Sequence, residues 1–141
     1  MDIRIKKAEL SDAPALYRLN AVFNGNCTTE ELIIDSLQNN TREIVMIAYA
    51  NGAPAGFICG EICRSMCYKT PHGSVGELFV DDEYRRQGIA AKLINEIETE
   101  FKKMGVIIAD IATSVDNRSA QALYKVCGYI GKTKMIFRKN I

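Results

Sequence analysis

This chain of 141 residues has one histidine, no tryptophan and a net charge of only +1. A charge so near zero supplies no global basic field for nucleic acid, and no acidic tail is present. No stretch approaches the roughly 18 consecutive apolar residues of a membrane span. The start, Met1-Asp2-Ile3-Arg4-Ile5-Lys6, lacks the apolar segment of an export signal. A cytoplasmic protein is therefore expected. Repeats, low-complexity tracts and linkers are absent too, so one domain over residues 1–141 is expected, long enough to bury a single core. The lone histidine, His72, falls in the chain-breaking stretch Lys69-Thr70-Pro71-His72-Gly73 and reads as a surface residue rather than a base.

Cysteine is present in an odd number: Cys27, Cys59, Cys63, Cys67 and Cys127. With no export signal, that count implies reduced thiols. Cys59, Cys63 and Cys67 recur every fourth residue, but the region reads as strand. Neighbours on one strand face would lie about 13 Å apart, too far to close on one zinc ion at ~2.3 Å. No metal is expected, and the thiols read as small buried hydrophobes. Cys127, in the last turn of a helix before Gly128, reads as core as well.

Apolar residues make up 48% of the chain and charged residues 25%, ordinary for a globular protein. Asp2–Lys7 alternates as a first strand. Ser11 is placed to cap a helix reaching about Val22, with Pro14 in its first turn and Leu16, Leu19 and Val22 on one side. Thr28 or Thr29 caps a second helix over Glu30–Gln38. The apolar runs Ile44–Ala50 and Ala53–Cys63 flank Asn51-Gly52, the strongest short signal for a two-residue hairpin turn. Ser74–Val80 is a further strand. A long helix from Gly88 to Met104 carries Ile89, Leu93, Ile94, Ile97, Phe101 and Met104 as an apolar stripe. Val106–Thr113 then reads as strand, Asn117–Cys127 as helix, and Tyr129–Arg138 as the last strand. The order predicts an α/β fold in which antiparallel strands lead into a β-α-β-α-β half.

The strand ending Glu77-Leu78-Phe79-Val80 passes through the acidic turn Asp81-Asp82-Glu83 into Arg85-Arg86-Gln87-Gly88-Ile89-Ala90. A helix start leaves backbone N–H groups without intrahelical partners, at the positive end of the helix dipole. Such a start holds phosphate or pyrophosphate. Gly88 lets the backbone approach an anion and Ala90 keeps the next position open, while Arg85, Arg86 and Lys92 add positive charge. On spacing alone, a solvated basic turn is the competing reading.

The pattern Arg85-x-x-Gly88-x-Ala90 after Glu77-Leu78-Phe79-Val80 resembles the acetyl-CoA motif of the GNAT superfamily of N-acetyltransferases. A second block, Asn117-x-x-Ala120-x-x-Leu123-Tyr124-x-x-x-Gly128-Tyr129, is similar to that family's second cofactor block, in the same order. The likeness covers residues 42–138 well. It implies a GNAT-type α/β fold: a mixed, mostly antiparallel sheet with a central splayed parallel strand pair, flanked by about four helices. It also implies acetyl-CoA as cosubstrate, its pantetheine arm on the backbone of Leu78, Phe79 and Val80. Its pyrophosphate would lie at Arg85, Arg86, Gln87, Gly88, Ile89, Ala90 and Ala91, and Asn117 would contact the pantetheine arm. Tyr124 matches the family's general acid, and Glu77 is the candidate base, acting directly or through a water. Asp110 and Glu61 are fallback bases. The position five before Asn117, where some relatives keep a catalytic Glu, is Ala112 here. That departure removes the mechanism of relatives acting on ribosomal-protein N-termini.

The chemistry has three requirements: an ammonium must lose a proton, an oxyanion must be stabilised, and a thiolate leaves. The resemblance places the acceptor among the two N-terminal helices, their loop and residues 64–73, with Glu30, Glu31 and Asp35 as candidate cation holders. Arg85–Leu93 and Met135-Ile136-Phe137 are similar to small-molecule acetyltransferases, including aminoglycoside 3-N-acetyltransferases. A small-molecule primary amine is the expected partner, a peptide or protein amine the alternative, and a non-catalytic acetyl-CoA-binding module a third reading. Neither nucleic acid nor membrane is an expected partner. Homodimers occur among relatives, and Lys134–Arg138 is a plausible pairing strand.

Overall fold

A computed structural model describes all residues, 1–141. It begins with strand β1 (Ile3–Lys7), followed by helices α1 (Ala13–Asn24) and α2 (Glu30–Asn39). Strands β2 (Glu43–Ala50), β3 (Ala53–Cys63) and β4 (His72–Val80) come next. Helix α3 (Ile89–Lys103), strand β5 (Ala109–Ile111) and helix α4 (Arg118–Val126) complete it. The sheet runs β1-β2-β3-β4-β5, antiparallel except for the parallel β4–β5 pair. The Asn51-Gly52 turn forms as expected, with both residues at positive φ (49° and 83°), the conformation a tight β2–β3 hairpin requires.

Each face of the sheet has its own core. On one, Ile89, Leu93, Ile94, Ile97 and Phe101 of α3 pack on Met46, Ala48, Ile58, Ile62 and Val75. Phe101 lies so close to β3 and β4 that a Cβ on Gly60 or Gly73 would meet its ring at 2.7 and 2.8 Å. On the other face, Ala15, Leu16 and Leu19 of α1 cover Ile47, Phe57 and Phe79. There Phe23 stacks on Phe79 with ring centroids 5.1 Å apart. Full burial of side chains such as Ile47, Ile58, Leu93 and Phe101 contributes about 1.5–3 kcal/mol each.

Several local expectations are corrected. Ser11 does not cap α1: a 3-10 turn over Leu10–Asp12 precedes it, and Asp12 takes the N-cap position. The Asp12 carboxylate is instead bonded by Lys6 Nζ, the Glu9 N–H and the Tyr49 hydroxyl, tying β1 and β2 to the start of α1. Thr29, not Thr28, caps α2, its hydroxyl accepting from the Leu32 N–H. Val22 and Met104 are exposed rather than part of the apolar stripes: Phe23 instead of Val22 turns to the sheet, and Met104 is the C-cap of α3. β5 shrinks from the expected Val106–Thr113 to Ala109–Ile111, since only those residues find partners on β4. Cys63 ends β3 and Cys67 lies in the following turn, so the three spaced cysteines do not share a strand. Cys63 and Cys67 are exposed. The strand expected over Tyr129–Arg138 does not form within the chain.

Candidate functional site

A glycine sets the geometry of the cleft. Between the pairs Cys59–Glu77 and Gly60–Val75, β3 advances one residue while β4 advances two, so Gly76 is extra. Such a bulge bends a strand and increases its twist. The bend coincides with the end of the β4–β5 pairing at Val75–Ile111. From Glu77 to Val80, β4 stays paired with β3 but has no partner on its β5 side. The two parallel strands thus separate, leaving an unpaired strand edge along a slot.

The start of α3 follows at the end of β4. Its approach is held by the Asp81 N–H donating to the Ala55 carbonyl (2.8 Å) and by the Asp81 carboxylate accepting from the Glu83 N–H. Arg86 and Gly88 both have positive φ, 62° and 78°. A left-handed conformation at a non-glycine residue such as Arg86 persists only where its surroundings impose it. No backbone N–H from Arg86 to Ala91 donates to a protein acceptor; the first bond of the helix is Lys92 N–H to Gly88 O. A Cβ at Gly88 would meet nothing within 4 Å, so the space over these amides is open. Arg85 is differently engaged: its Nε donates to the Val80 carbonyl (3.0 Å) and its guanidinium pairs with Asp82 (2.9 Å).

On the α1–α2 face, a cavity of about 290 Å³ lies over β2, β3 and β4. Leu16, Leu32, Ile33, Leu37, Val45 and Phe57 give it apolar walls; Glu43 and Glu77 supply its two carboxylates. Alternation along the strands sets this arrangement, for Val45, Cys59 and Glu77 are aligned across β2, β3 and β4. Burial pushes the Cys59 thiol far up, and the charges of Glu43 and Glu77 push it further. It therefore stays protonated near neutrality and is a poor nucleophile. Glu43 also accepts from the Ser36 hydroxyl at 3.1 Å, which joins the cavity floor to α2.

Glu43 was missed by the sequence reading, although its place at the start of an alternating strand puts it on the same face as Val45. The acidic residues singled out on α2, Glu30, Glu31 and Asp35, do not line the cavity. Neither do Asp110, exposed on β5, or Glu61, which pairs with Arg42 at 3.9 Å. His72 is not a turn residue: it begins β4, half-buried beneath the Tyr68 ring (4.5 Å).

Leu78 and Val80 point to the α3 side of the sheet and Phe79 to the α1 side. Asn117 caps α4, its Oδ1 accepting from the Ala120 N–H at 3.1 Å. Tyr124, half-buried, packs against the α3-side core, 6.4 Å from the Tyr129 ring. Burial raises its pKa above the ordinary tyrosine value of 10.0. Glu77 and Tyr124 thus belong to opposite faces of the sheet rather than to one cavity. No group of three or more His, Cys, Asp or Glu side chains is arranged to hold a metal ion.

The chain is 33% identical over 84 residues to an uncharacterized N-acetyltransferase of Methanocaldococcus jannaschii. That match covers 59% of the chain but only 37% of the relative, so the chain spans little more than a third of that protein. Among solved structures, the aminoglycoside acetyltransferase AAC(6')-Iy, in complex with the bisubstrate analog CoA-S-monomethyl-acetylneamine, superposes with a TM-score of 0.88 at 20% identity. All of the chain and 99% of that structure are covered. A ribosomal-protein-alanine N-acetyltransferase from Brucella melitensis biovar Abortus 2308 gives 0.79 at 16% identity, covering 99% of the chain and 100% of its own. At these identities the two structures speak to the fold. Residues 13–129 match the profile of the acetyltransferase (GNAT) family, and with the splayed β4–β5 pair and the open start of α3 the chain belongs to that family of acetyl-transfer enzymes.

Proposed function

We propose that this protein moves the acetyl group of acetyl-CoA to a small primary amine, by direct attack with both substrates bound. The observation that carries the reading is the run of six unpaired N–H groups from Arg86 to Ala91 at the mouth of the slot. These donors, the dipole of a helix starting at Ile89 and the open space at Gly88 fit a pyrophosphate. Arg86 and Lys92 add charge beside it. The unpaired edge of β4 from Gly76 to Val80 fits an amide-bearing arm that bonds as a strand would. A relative of the same fold holding a CoA bisubstrate analog supports this assignment.

When bound, acetyl-CoA supplies the activated acetyl group; the protein supplies the proton transfers and the positioning. Glu77, in the acceptor cavity, takes the proton of the incoming ammonium, directly or through one water, and leaves a neutral nucleophile. The new C–N bond forms as the C–S bond breaks, and the nitrogen releases its second proton to solvent, in balance with the proton the thiolate gains. Tyr124, kept protonated by burial, donates to the departing thiolate from the other face of the sheet. The raised thiol of Cys59 argues against an acetyl-cysteine step. Asn117 caps α4, and by the family resemblance its side chain would also contact the pantetheine arm.

The lining of the cavity supports one acceptor class over others. Two carboxylates suit one ammonium group, and the aliphatic and aromatic walls suit a short apolar body better than a hydroxyl-rich polycation. The test is incubation of the purified protein with acetyl-CoA and a panel of alkylamines, arylalkylamines, polyamines, aminoglycosides and short peptides. Products are read by mass spectrometry. Acetylation of an apolar monoamine supports the proposal; preference for aminoglycosides or peptides would reassign the acceptor. Absence of acetyl-CoA binding would reject the reading altogether.

A further inference from the structure

The cavity of the α1–α2 face is built without positive charge. No lysine, arginine or histidine lines it, whereas Glu43 and Glu77 both do. Neither glutamate has a cationic partner, for every ion pair of the chain involves another carboxylate. Arg42, next to Glu43 in the chain, is turned to Glu61 at 3.9 Å. Glu61 itself stands opposite Glu43 across the β2–β3 pair, a third carboxylate on the same face.

The sheet brings these charges to bear on one spot. Glu43 precedes Val45 by two residues and so shares its face, while Val45, Cys59 and Glu77 are aligned across β2, β3 and β4. Cys59, on the strand between the two glutamates, feels both: burial and then their charges push its thiol pKa up. Any group resting over Cys59 lies in the same field. An ammonium is favoured there and a carboxylate is repelled. Neutral donors near the cavity are engaged elsewhere. The Asn24 amide donates to Asn20 Oδ1 at 2.8 Å, the Asn20 amide to the Cys27 sulfur at 3.7 Å, and the Ser36 hydroxyl to Glu43 itself.

An α-amino acid carries its carboxylate one carbon from its amine. With the amine beside Glu77, that carboxylate cannot withdraw from the field of Glu43. Given that the cavity receives the acceptor, as proposed above, we propose that Glu43 is a specificity-determining residue that excludes acceptors bearing a carboxylate beside the amine. The enzyme takes apolar amines and refuses the corresponding amino acids. Decarboxylation is the class of reaction that turns a refused amino acid into an accepted amine, so acetyl transfer follows that step and does not precede it.

The test is calorimetric titration of the full chain with isoamylamine, leucinamide and leucine. These share one apolar body and differ in what stands beside the amine: nothing, a neutral amide or a carboxylate. At about pH 6.5 all of their amino groups are protonated, and low ionic strength leaves the repulsion unscreened. Titrations run with and without CoA, which carries no acetyl group, so binding is read without turnover. A failure of acetyl transfer registers separately, in the product assay. Isoamylamine and leucinamide are expected to bind, and leucine to bind more weakly by roughly tenfold or more. Glu43→Gln should narrow the gap between leucinamide and leucine by about threefold or more, by tightening leucine. Glu43→Asp should keep most of the gap. A variant that merely damaged the cavity would weaken every ligand alike. That uniform weakening in Glu43→Gln would overturn the proposal. So would leucine bound as tightly as leucinamide, a gap untouched by Glu43→Gln, or no binding of either amine.

Discussion

Val75 of β4 lies opposite Ile111 of β5, and no residue of β4 beyond it has a partner on that side. The next residue, Gly76, is the bulge, and the one after it, Glu77, is paired with Cys59 and lines the cavity of the α1–α2 face. One extra residue therefore opens the slot and aims the proposed base. Glu77→Gln is expected to lower kcat about 10²–10⁴-fold, the usual worth of a general base, with acetyl-CoA affinity unchanged. Cys59→Ala is expected to keep most of the activity. Steady-state rates and calorimetric titration of acetyl-CoA check both; a dead Cys59→Ala variant that still folds would restore a covalent route.

Tyr124 is held protonated by its burial, above the ordinary value of 10.0. A proton donor with a raised pKa stays competent on the alkaline side, so its contribution to kcat is lost only as pH rises beyond the usual tyrosine range. Tyr124→Phe is expected to cut kcat by about 10²–10⁴-fold near neutrality without weakening acetyl-CoA binding. A pH–rate profile of both proteins measures it; an unaffected Phe variant would show that another group protonates the leaving thiolate.

Gly88 takes φ of 78° at the start of α3 with open space above it. Gly88→Val meets no neighbour inside the protein; its effect comes from strain in the left-handed backbone and from occupying the approach to the amides. Acetyl-CoA affinity should fall by roughly tenfold or more, the strain alone being of order 1–3 kcal/mol. Arg86→Ala should cost less and make binding less sensitive to salt. Titrations at low and high ionic strength distinguish the two effects.

Asp12 is 4% exposed and accepts from Lys6, Tyr49 and the Glu9 N–H. Burial alone would raise its pKa, but these bonds outweigh burial and hold it below the ordinary 3.8. Its contribution to stability is present above that pH and is lost as pH falls through the lowered value. Burial and the Asp12 bond push Tyr49 up to about 12, so that part of the network weakens as pH rises from 10 towards 12. Asp12→Ala leaves Lys6 and the Tyr49 hydroxyl without their partner and should cost roughly 2–4 kcal/mol. Urea unfolding at pH 7 and pH 3 checks this, since the difference between the two proteins should shrink in acid.

Much of the fold was legible in the chain itself. Asn51-Gly52 dictates a turn with two positive φ values, and the hairpin forms between the expected strands. The stripe from Ile89 to Phe101 has the period of a helix and is buried along its length. Position along the chain also gave Glu77 its place in β4 and left the amides after Arg85 at a helix start. Cooperation between distant residues was not legible. Glu43 reaches the cavity only because β2, β3 and β4 align it on the same face as Glu77, and Asp12 gains its partners from β1 and β2.

The local pattern in residues 133–138 favours a strand, yet none forms there within the chain, and β5 shortens to the three residues that pair with β4. The sequence determined the elements whose hydrogen bonds and buried faces are local: the helices, the hairpin and the start of α3 with its free N–H groups. Only the tertiary structure decided which carboxylates meet, where the parallel strands part and which edge remains open. Those outcomes depend on register and on contacts between residues far apart in the chain, and no local period encodes them.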